Sequence, residues 1–78
     1  MNSEVKRQIL VIDDDPLINR TIVNGLRSIP VIVHTAVNCD EGRKLLFGNP
    51  EIALIICDQL LPDALGVEFL KDMKQLKI

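Results

Sequence analysis

The sequence has no tryptophan and no tyrosine, and its only aromatic residues are two phenylalanines, so its core must be aliphatic. Its two cysteines, Cys39 and Cys57, are too few for a disulfide scaffold and too far apart for a typical zinc site. No apolar run approaches the roughly 20 residues of a membrane span, and residues 1–8 lack the apolar stretch of a signal peptide. With a formal net charge of -2 and no basic stripe, nothing indicates nucleic-acid binding. These absences favour a reduced, cytoplasmic protein in which Cys57 is buried and Cys39 is a surface or half-buried thiol.

The sequence has 78 residues and 47% hydrophobic content, which suits one small globular domain. Apolar runs at 9–12 and 52–57 do not alternate with polar residues, as is typical of strands buried on both faces. A third run, 31–33, continues into polar residues to position 36 and predicts an edge strand. Helical patterns lie between and after these runs. A β-α-β-α-β-α order predicts a parallel sheet with right-handed crossovers.

Three segments show helical periodicity. The first begins with Asp15 as N-cap and Pro16 at the first helical position, and we expect it to end at Pro30. The second follows Asn38, with Glu41 three positions later as in a capping box, and the third covers 67–76. The apolar residues expected to face inward are Ile18, Ile22, Leu26 and Ile29 in the first helix, with Leu17 and Val23 broadening the stripe, Leu45, Leu46 and Phe47 in the second, and Phe69, Leu70, Met73 and Leu76 in the third.

The most informative pattern is acidic. Asp13, Asp14 and Asp15 follow the first strand, and Asp58 follows the third. Ligands bind beyond the carboxyl ends of the strands in such sheets, so these acids should meet at one edge. Solvated loop carboxylates and helix caps are the simpler interpretation, and it suffices for Asp15. It does not explain why two strands end in acid at the same edge.

Carboxylate oxygens favour a hard cation such as Mg²⁺, which also accepts phosphate oxygens. A carboxylate can itself attack phosphorus and form an aspartyl phosphate. We therefore predict that Asp58 is the nucleophile and that Asp13 and Asp14 are metal ligands.

Residues 9–16, Ile-Leu-Val-Ile-Asp-Asp-Asp-Pro, resemble the opening of the receiver domain of two-component response regulators. Residues 54–58, followed by Leu61, Pro62 and Gly66, resemble the phosphoacceptor segment of that family. The resemblance implies that Asp58 is phosphorylated by a histidine kinase or phosphotransfer protein, and that the chain is not an enzyme beyond phosphorylating and dephosphorylating itself. It also implies Mg²⁺ held by Asp14, Asp13 and Asp58, completed by the main-chain carbonyl of Leu60.

The resemblance implies a truncated flavodoxin-like fold with strand order 2-1-3 in a single partial receiver domain over 1–78, of which 1–7 is flexible. The family's later hydroxyl and lysine, which contact the phosphoryl group, have no counterpart, so we expect phosphorylation to be impaired. The third strand would lie at the sheet edge, so we expect that the chain forms a homodimer there, exchanges elements with a second copy, or is a fragment of a longer protein.

Two other functions stay open. A Mg²⁺-dependent phosphatase of the haloacid-dehalogenase type also has Asp-x-Asp after a strand, and Asp13 and Asp15 match that spacing. However, Leu17 stands where such proteins usually have a hydroxyl-bearing or β-branched residue, and Asp58 would have no role. A non-catalytic pairing or assembly module would use the exposed sheet edge instead. His34 invites a phosphorelay role, but a histidine at a strand end is the simpler interpretation.

Overall fold

The computed structural model describes the backbone of residues 6–77 and the side chains of residues 6–73. Its elements, in chain order, are β1 (Arg7–Ile12), α1 (Pro16–Gly25), β2 (Val31–Ala36), α2 (Cys39–Gly48), β3 (Ile52–Cys57) and α3 (Gly66–Lys77). The sheet has the order β2-β1-β3, with β1 parallel to both neighbours. The predicted fold class and strand order are confirmed. The prediction of a flexible segment over 1–7 lies largely outside the described residues, and β1 already begins at Arg7.

The central strand is buried on both faces, as its unbroken apolar run predicts. Leu10 and Ile12 point into a core formed with α2 and α3, whose buried members are Ala36, Cys39, Leu46, Ile52, Phe69 and Met73. Ile9 and Val11 point to the opposite face and are also buried. Right-handed crossovers place α1 and α2 on opposite faces of a sheet with this order, and α3 shares the face of α2. The carboxyl end of β1 lies between the carboxyl ends of β2 and β3, because Ile12 pairs with Ala36 on one side and Cys57 on the other.

The first helix differs from the prediction at its C-terminal end. It ends at Gly25 rather than at Pro30, and short turns connect it to β2. Asn24 and Gly25 are weak helix formers, and glycine costs about 1 kcal/mol relative to alanine in a helix interior. The prediction that Leu17, Ile18 and Ile29 face inward is wrong, because all three side chains are exposed.

The other two helices follow the predicted bounds within about one residue. Asn38 caps α2 by accepting the Glu41 N–H at 2.8 Å, and the Glu41 carboxylate accepts the Val37 N–H at 3.1 Å, one residue earlier than in a standard capping box. Phe47 was expected to face inward but is 63% exposed. In α3, Phe69 and Met73 are buried as predicted, but Leu70, which was expected to face inward, is exposed. The side chain of Leu76 lies outside the described residues.

The third strand is less buried than its apolar run suggests. Ile52 is buried, but Leu54 and Ile56 are 53% and 41% exposed on the face opposite the core. One edge of β3 pairs with β1, and within the described residues its other edge pairs with no strand. The strand therefore lies at the edge of the sheet, as the strand order 2-1-3 implies.

Candidate functional site

The carboxyl edge of the sheet brings the predicted acids together. The Asp13 N–H donates to the Ala36 carbonyl at 3.0 Å, and the Asp58 N–H donates to the Ile12 carbonyl at 2.9 Å. Both bonds extend the parallel ladder one residue beyond the strands. The backbones of Asp13 and Asp58 are therefore fixed by the sheet although their side chains lie outside it.

Asp13, Asp14 and Asp58 form a cluster in which one carboxylate oxygen from each residue lies within 4.8 Å of the other two. Asp13 and Asp58 are half-buried, whereas Asp14 is exposed. Two unit charges at this distance repel by roughly 1 to 3 kcal/mol, depending on how far solvent screens them. Within residues 6–73 no lysine or arginine forms an ion pair with any of the three. Three hard oxygen donors without a cationic partner are a donor set that fits a divalent ion such as Mg²⁺.

Asp15 is not part of the cluster and serves as the N-cap of α1. Its carboxylate accepts the Leu17 N–H at 2.9 Å and caps α1, as predicted. Its own N–H donates to the Asp13 carboxylate at 3.0 Å, which orients one ligand of the cluster. The phosphatase alternative would need Asp15 as its second carboxylate and would leave Asp58 unused. The geometry instead groups Asp58 with Asp13 and engages Asp15 as a cap.

Sequence reasoning missed Asn19, which is only 5% exposed. Its side-chain NH₂ donates to the carbonyls of Asp13 at 3.0 Å and Ala36 at 3.2 Å, joining α1 to the ends of β1 and β2. The sequence signal that could have revealed Asn19 is its spacing. Ile22 and Val23 follow it by three and four residues, so all three lie on the same side of α1. A polar residue near the start of a helix, on the side that faces the core, implies a buried hydrogen bond.

The loop after β3 folds back toward the end of that strand. The Gly66 N–H donates to the Gln59 carbonyl at 2.8 Å, and the Val67 N–H donates to the Gln59 side chain at 3.2 Å, which caps the start of α3. Leu60 forms an isolated antiparallel bridge with Leu65 inside this loop. A side chain at position 66 would overlap the Asp58 carbonyl, so only glycine fits there.

The two thiols beside the cluster differ from the prediction. Cys39 is buried rather than half-exposed, whereas Cys57 is half-buried. Burial, with the charge of Asp63, raises the pKa of Cys39 from 9.0 to about 11. Burial, followed by the charges of Asp58 and Asp13, raises the pKa of Cys57. Both thiols are therefore neutral and weakly nucleophilic at physiological pH.

His34 lies in β2, away from the carboxylates. Its ring Nε2 is 2.8 Å from the side-chain oxygen of Gln8 in β1, and the residue is half-buried. Among the described residues the metal-ligand cluster contains only the three aspartates. The position agrees with a structural histidine in a strand.

Comparison with known proteins places these features in a family. The family model for the response regulator receiver domain matches residues 9–78. The hydrogenase transcriptional regulatory protein HoxA of Cupriavidus necator is 35% identical over 77 residues, which is 94% of this chain and 15% of HoxA. The two-component response regulator ARR22 of Arabidopsis thaliana is 33% identical over 79 residues, which is 96% of this chain and 56% of ARR22. The chain thus spans about half or less of the length of these relatives.

Solved structures agree with the sequence relatives. A response regulator receiver domain protein from Clostridium thermocellum superposes with a TM-score of 0.82 at 31% identity, covering 88% of this chain and 56% of that one. The signal receiver domain of an HD domain-containing protein from Pseudomonas fluorescens has the same TM-score at 26% identity, covering 95% and 55%. With the paired strand-end acids on the same fold, this chain belongs to the response regulator receiver domain family.

Proposed function

We propose that Asp58 accepts a phosphoryl group from a phosphohistidine of a histidine kinase or phosphotransfer protein. The observation that carries the proposal is the convergence of the Asp13, Asp14 and Asp58 oxygens within 4.8 Å at the carboxyl edge of the sheet. Membership of the receiver family supports the same chemistry. Mg²⁺ would be held by these three carboxylates and by the main-chain carbonyl of Leu60.

Asp58 is the acid best suited to be the nucleophile. Within residues 6–73 its carboxylate accepts no hydrogen bond, whereas Asp13 and Asp15 each accept a backbone N–H. Its backbone is fixed by the Ile12 carbonyl, so its position at the sheet edge is set before a donor arrives. A free, oriented carboxylate has an oxygen lone pair available for attack.

In the proposed step an Asp58 oxygen attacks the phosphorus of the phosphohistidine. A P–O bond forms, the P–N bond breaks, and the departing imidazole nitrogen keeps the electron pair and takes up a proton. A Mg²⁺ ion held by Asp13, Asp14 and Asp58 would offset the repulsion between the anionic carboxylate and the anionic phosphoryl group. The chain is not proposed to turn over a free substrate, since the acceptor is its own side chain.

We place this activity in the cytoplasm. Two free cysteines are compatible with a reducing compartment, and no helix among the described residues has the length and apolar character needed to cross a bilayer. The proposed partner is a phosphorylated histidine protein, with no nucleic acid bound by this segment. The domain assignment that we propose is a single partial receiver unit over 1–78.

We further propose that the chain self-associates through β3. Leu54 and Ile56 are exposed beside an edge without a strand partner in the described residues. Such an edge offers a row of backbone donors and acceptors to a second copy. Light scattering at low micromolar concentration should give a mass above the monomer, and Ile56→Lys should reduce it while Leu17→Lys, on α1, should not. A folded monomer at that concentration would refute self-association.

Phosphorylation is tested by intact mass after incubation with Mg²⁺ and acetyl phosphate as a small phosphodonor. We expect one phosphoryl group per chain, lost in Asp58→Asn and on chelation of the metal. Asp15→Asn is the matched control, because it makes the same change in the same acidic segment and asparagine still caps a helix. Incorporation that persists in Asp58→Asn, or that maps to another residue, would contradict the assignment.

A further inference from the structure

Asp63 links the loop after β3 to a distant helix. One oxygen of its carboxylate accepts the Cys39 N–H at 2.9 Å, and the other accepts the Asp40 N–H at 3.1 Å. The donors are the first two residues of α2. The carboxylate thus bridges two segments that lie more than 20 residues apart in the sequence.

The contact fills a specific gap in the capping of α2. The Asn38 side chain caps the helix by accepting the Glu41 N–H, which leaves the N–H groups of Cys39 and Asp40 without a partner from the helix itself. Asp63 accepts both. A carboxylate is the favoured acceptor here, because the helix N-terminus carries partial positive charge.

The charge of Asp63 is stabilised by the same bonds. The backbone N–H of Cys39, followed by that of Asp40, holds the pKa of Asp63 below its ordinary value. The carboxylate is therefore ionised throughout the neutral range, and both hydrogen bonds are charge-assisted.

The position of Asp63 in its loop is constrained from both sides. The Leu61 N–H donates to the Ala64 carbonyl at 3.3 Å, which closes a turn around Asp63. The Gly66 N–H donates to the Gln59 carbonyl at 2.8 Å, which closes the wider loop onto the end of β3. A displacement of Asp63 is thus transmitted to the residues that directly follow Asp58.

We infer that Asp63 is a positioning residue, which anchors the loop carrying Asp58 and Leu60 to the N-terminus of α2 and thereby sets the Mg²⁺ affinity of the carboxylate cluster. This inference rests on the proposed function, because it concerns the same metal site. Within residues 6–73 the hydrogen bonds of the Asp63 carboxylate go to Cys39 and Asp40 and not to the metal ligands. It acts through the backbone of the loop, and it makes α2 responsive to the state of the site.

The test compares Mg²⁺ affinity by isothermal titration calorimetry in the whole chain and in three variants. Asp63→Ala removes both hydrogen bonds, and Asp63→Asn keeps one oxygen acceptor. Asp72 is an exposed acid on α3, so Asp72→Asn removes the same charge without changing the loop. Residues behind metal ligands are typically worth 10- to 100-fold in affinity, so we expect about tenfold weakening for Asp63→Ala and less for Asp63→Asn. Asp72→Asn should leave the affinity unchanged.

A second readout separates positioning from simple stabilisation. We expect Mg²⁺ to shift the amide resonances of Cys39 and Asp40 in the wild-type chain and in Asp72→Asn, but not in Asp63→Ala. Should Asp63→Ala not fold, Asp63→Asn serves for both measurements. Wild-type affinity in a folded Asp63 variant would overturn the inference and leave the proposed function intact. Absence of Mg²⁺ binding by the wild-type chain would overturn both.

Discussion

Replacement of Gly66 by alanine should disturb the stability and the metal site together. Gly66 is the buried first residue of α3, and a Cβ there would overlap the Asp58 carbonyl oxygen. It would also lie 3.1 Å from the Asp58 carbonyl carbon and 3.2 Å from the Cys57 sulfur. Gly66 cannot retreat freely, because its N–H is bonded to the Gln59 carbonyl at 2.8 Å. The strain must therefore move the backbone of Asp58, break that bond, or both.

The size of the effect follows from what the new methyl group meets. Overpacking of a well-packed interior costs about 1–3 kcal/mol, and we expect the upper end of that range because the obstacle is backbone. Gly42→Ala should cost less, since its Cβ would meet the flexible end of the Ile12 side chain at 2.6 Å. Gly25→Ala has nothing within 4 Å and should be neutral or stabilising by about 0.4–1 kcal/mol.

The three variants form a matched series for urea unfolding. Far-UV circular dichroism is the suitable probe, because the chain has no tryptophan or tyrosine for fluorescence. Protein concentration must be held constant, since self-association would make stability depend on it. Calorimetry should show weaker Mg²⁺ binding in Gly66→Ala and unchanged binding in Gly25→Ala. If Gly66→Ala is as stable as Gly25→Ala and binds Mg²⁺ equally well, the Cβ at position 66 does not meet the obstacle that the Asp58 carbonyl is expected to form.

Three further outcomes are expected. Asp15→Ala should lower the unfolding free energy by about 1 kcal/mol, because the Leu17 N–H loses its acceptor, and should leave the Mg²⁺ affinity in calorimetry unchanged. Weaker Mg²⁺ binding would contradict a purely capping role of the Asp15 side chain. Asn19→Ala should cost about 1–3 kcal/mol in urea unfolding, because the Asp13 carbonyl loses its buried donor; a neutral effect would contradict this. Burial raises the pKa of Cys39 from 9.0 to about 11, so the unfolded chain ionises first and stability should fall between pH 9 and 11 more steeply than in Cys39→Ala. If the unfolding free energy falls equally steeply with pH in the wild-type chain and in Cys39→Ala, the pKa of Cys39 is not raised in the folded chain.

The sequence predicted the framework of the fold because that framework is encoded locally. Unbroken apolar runs identified β1 and β3, and the pairs Asp15-Pro16 and Asn38-Glu41 identified the starts of α1 and α2. Capping depends on side chains and N–H groups within four residues of each other, so it can be read from the chain alone. The strand-end acids followed from the same reasoning, since parallel strands share a carboxyl edge.

Several features required the tertiary structure. Periodicity indicated that α1 has an inward face but not its orientation, so Asn19 was missed and Ile18 was wrongly placed inside. The exposure of Phe47 and the burial of Cys39 depend on how α2 lies over β1 and β2. Helical spacing is compatible with several rotations about the helix axis, and packing selects one.

Composition and local pattern thus determined that strands and helices alternate and that Asp13, Asp14 and Asp58 share an edge of the sheet. Only the folded chain decided that their oxygens lie within 4.8 Å and that Asp63 reaches the start of α2. A contact between residues more than 20 positions apart has no local signature. It exists because the sheet and its helices bring those residues together.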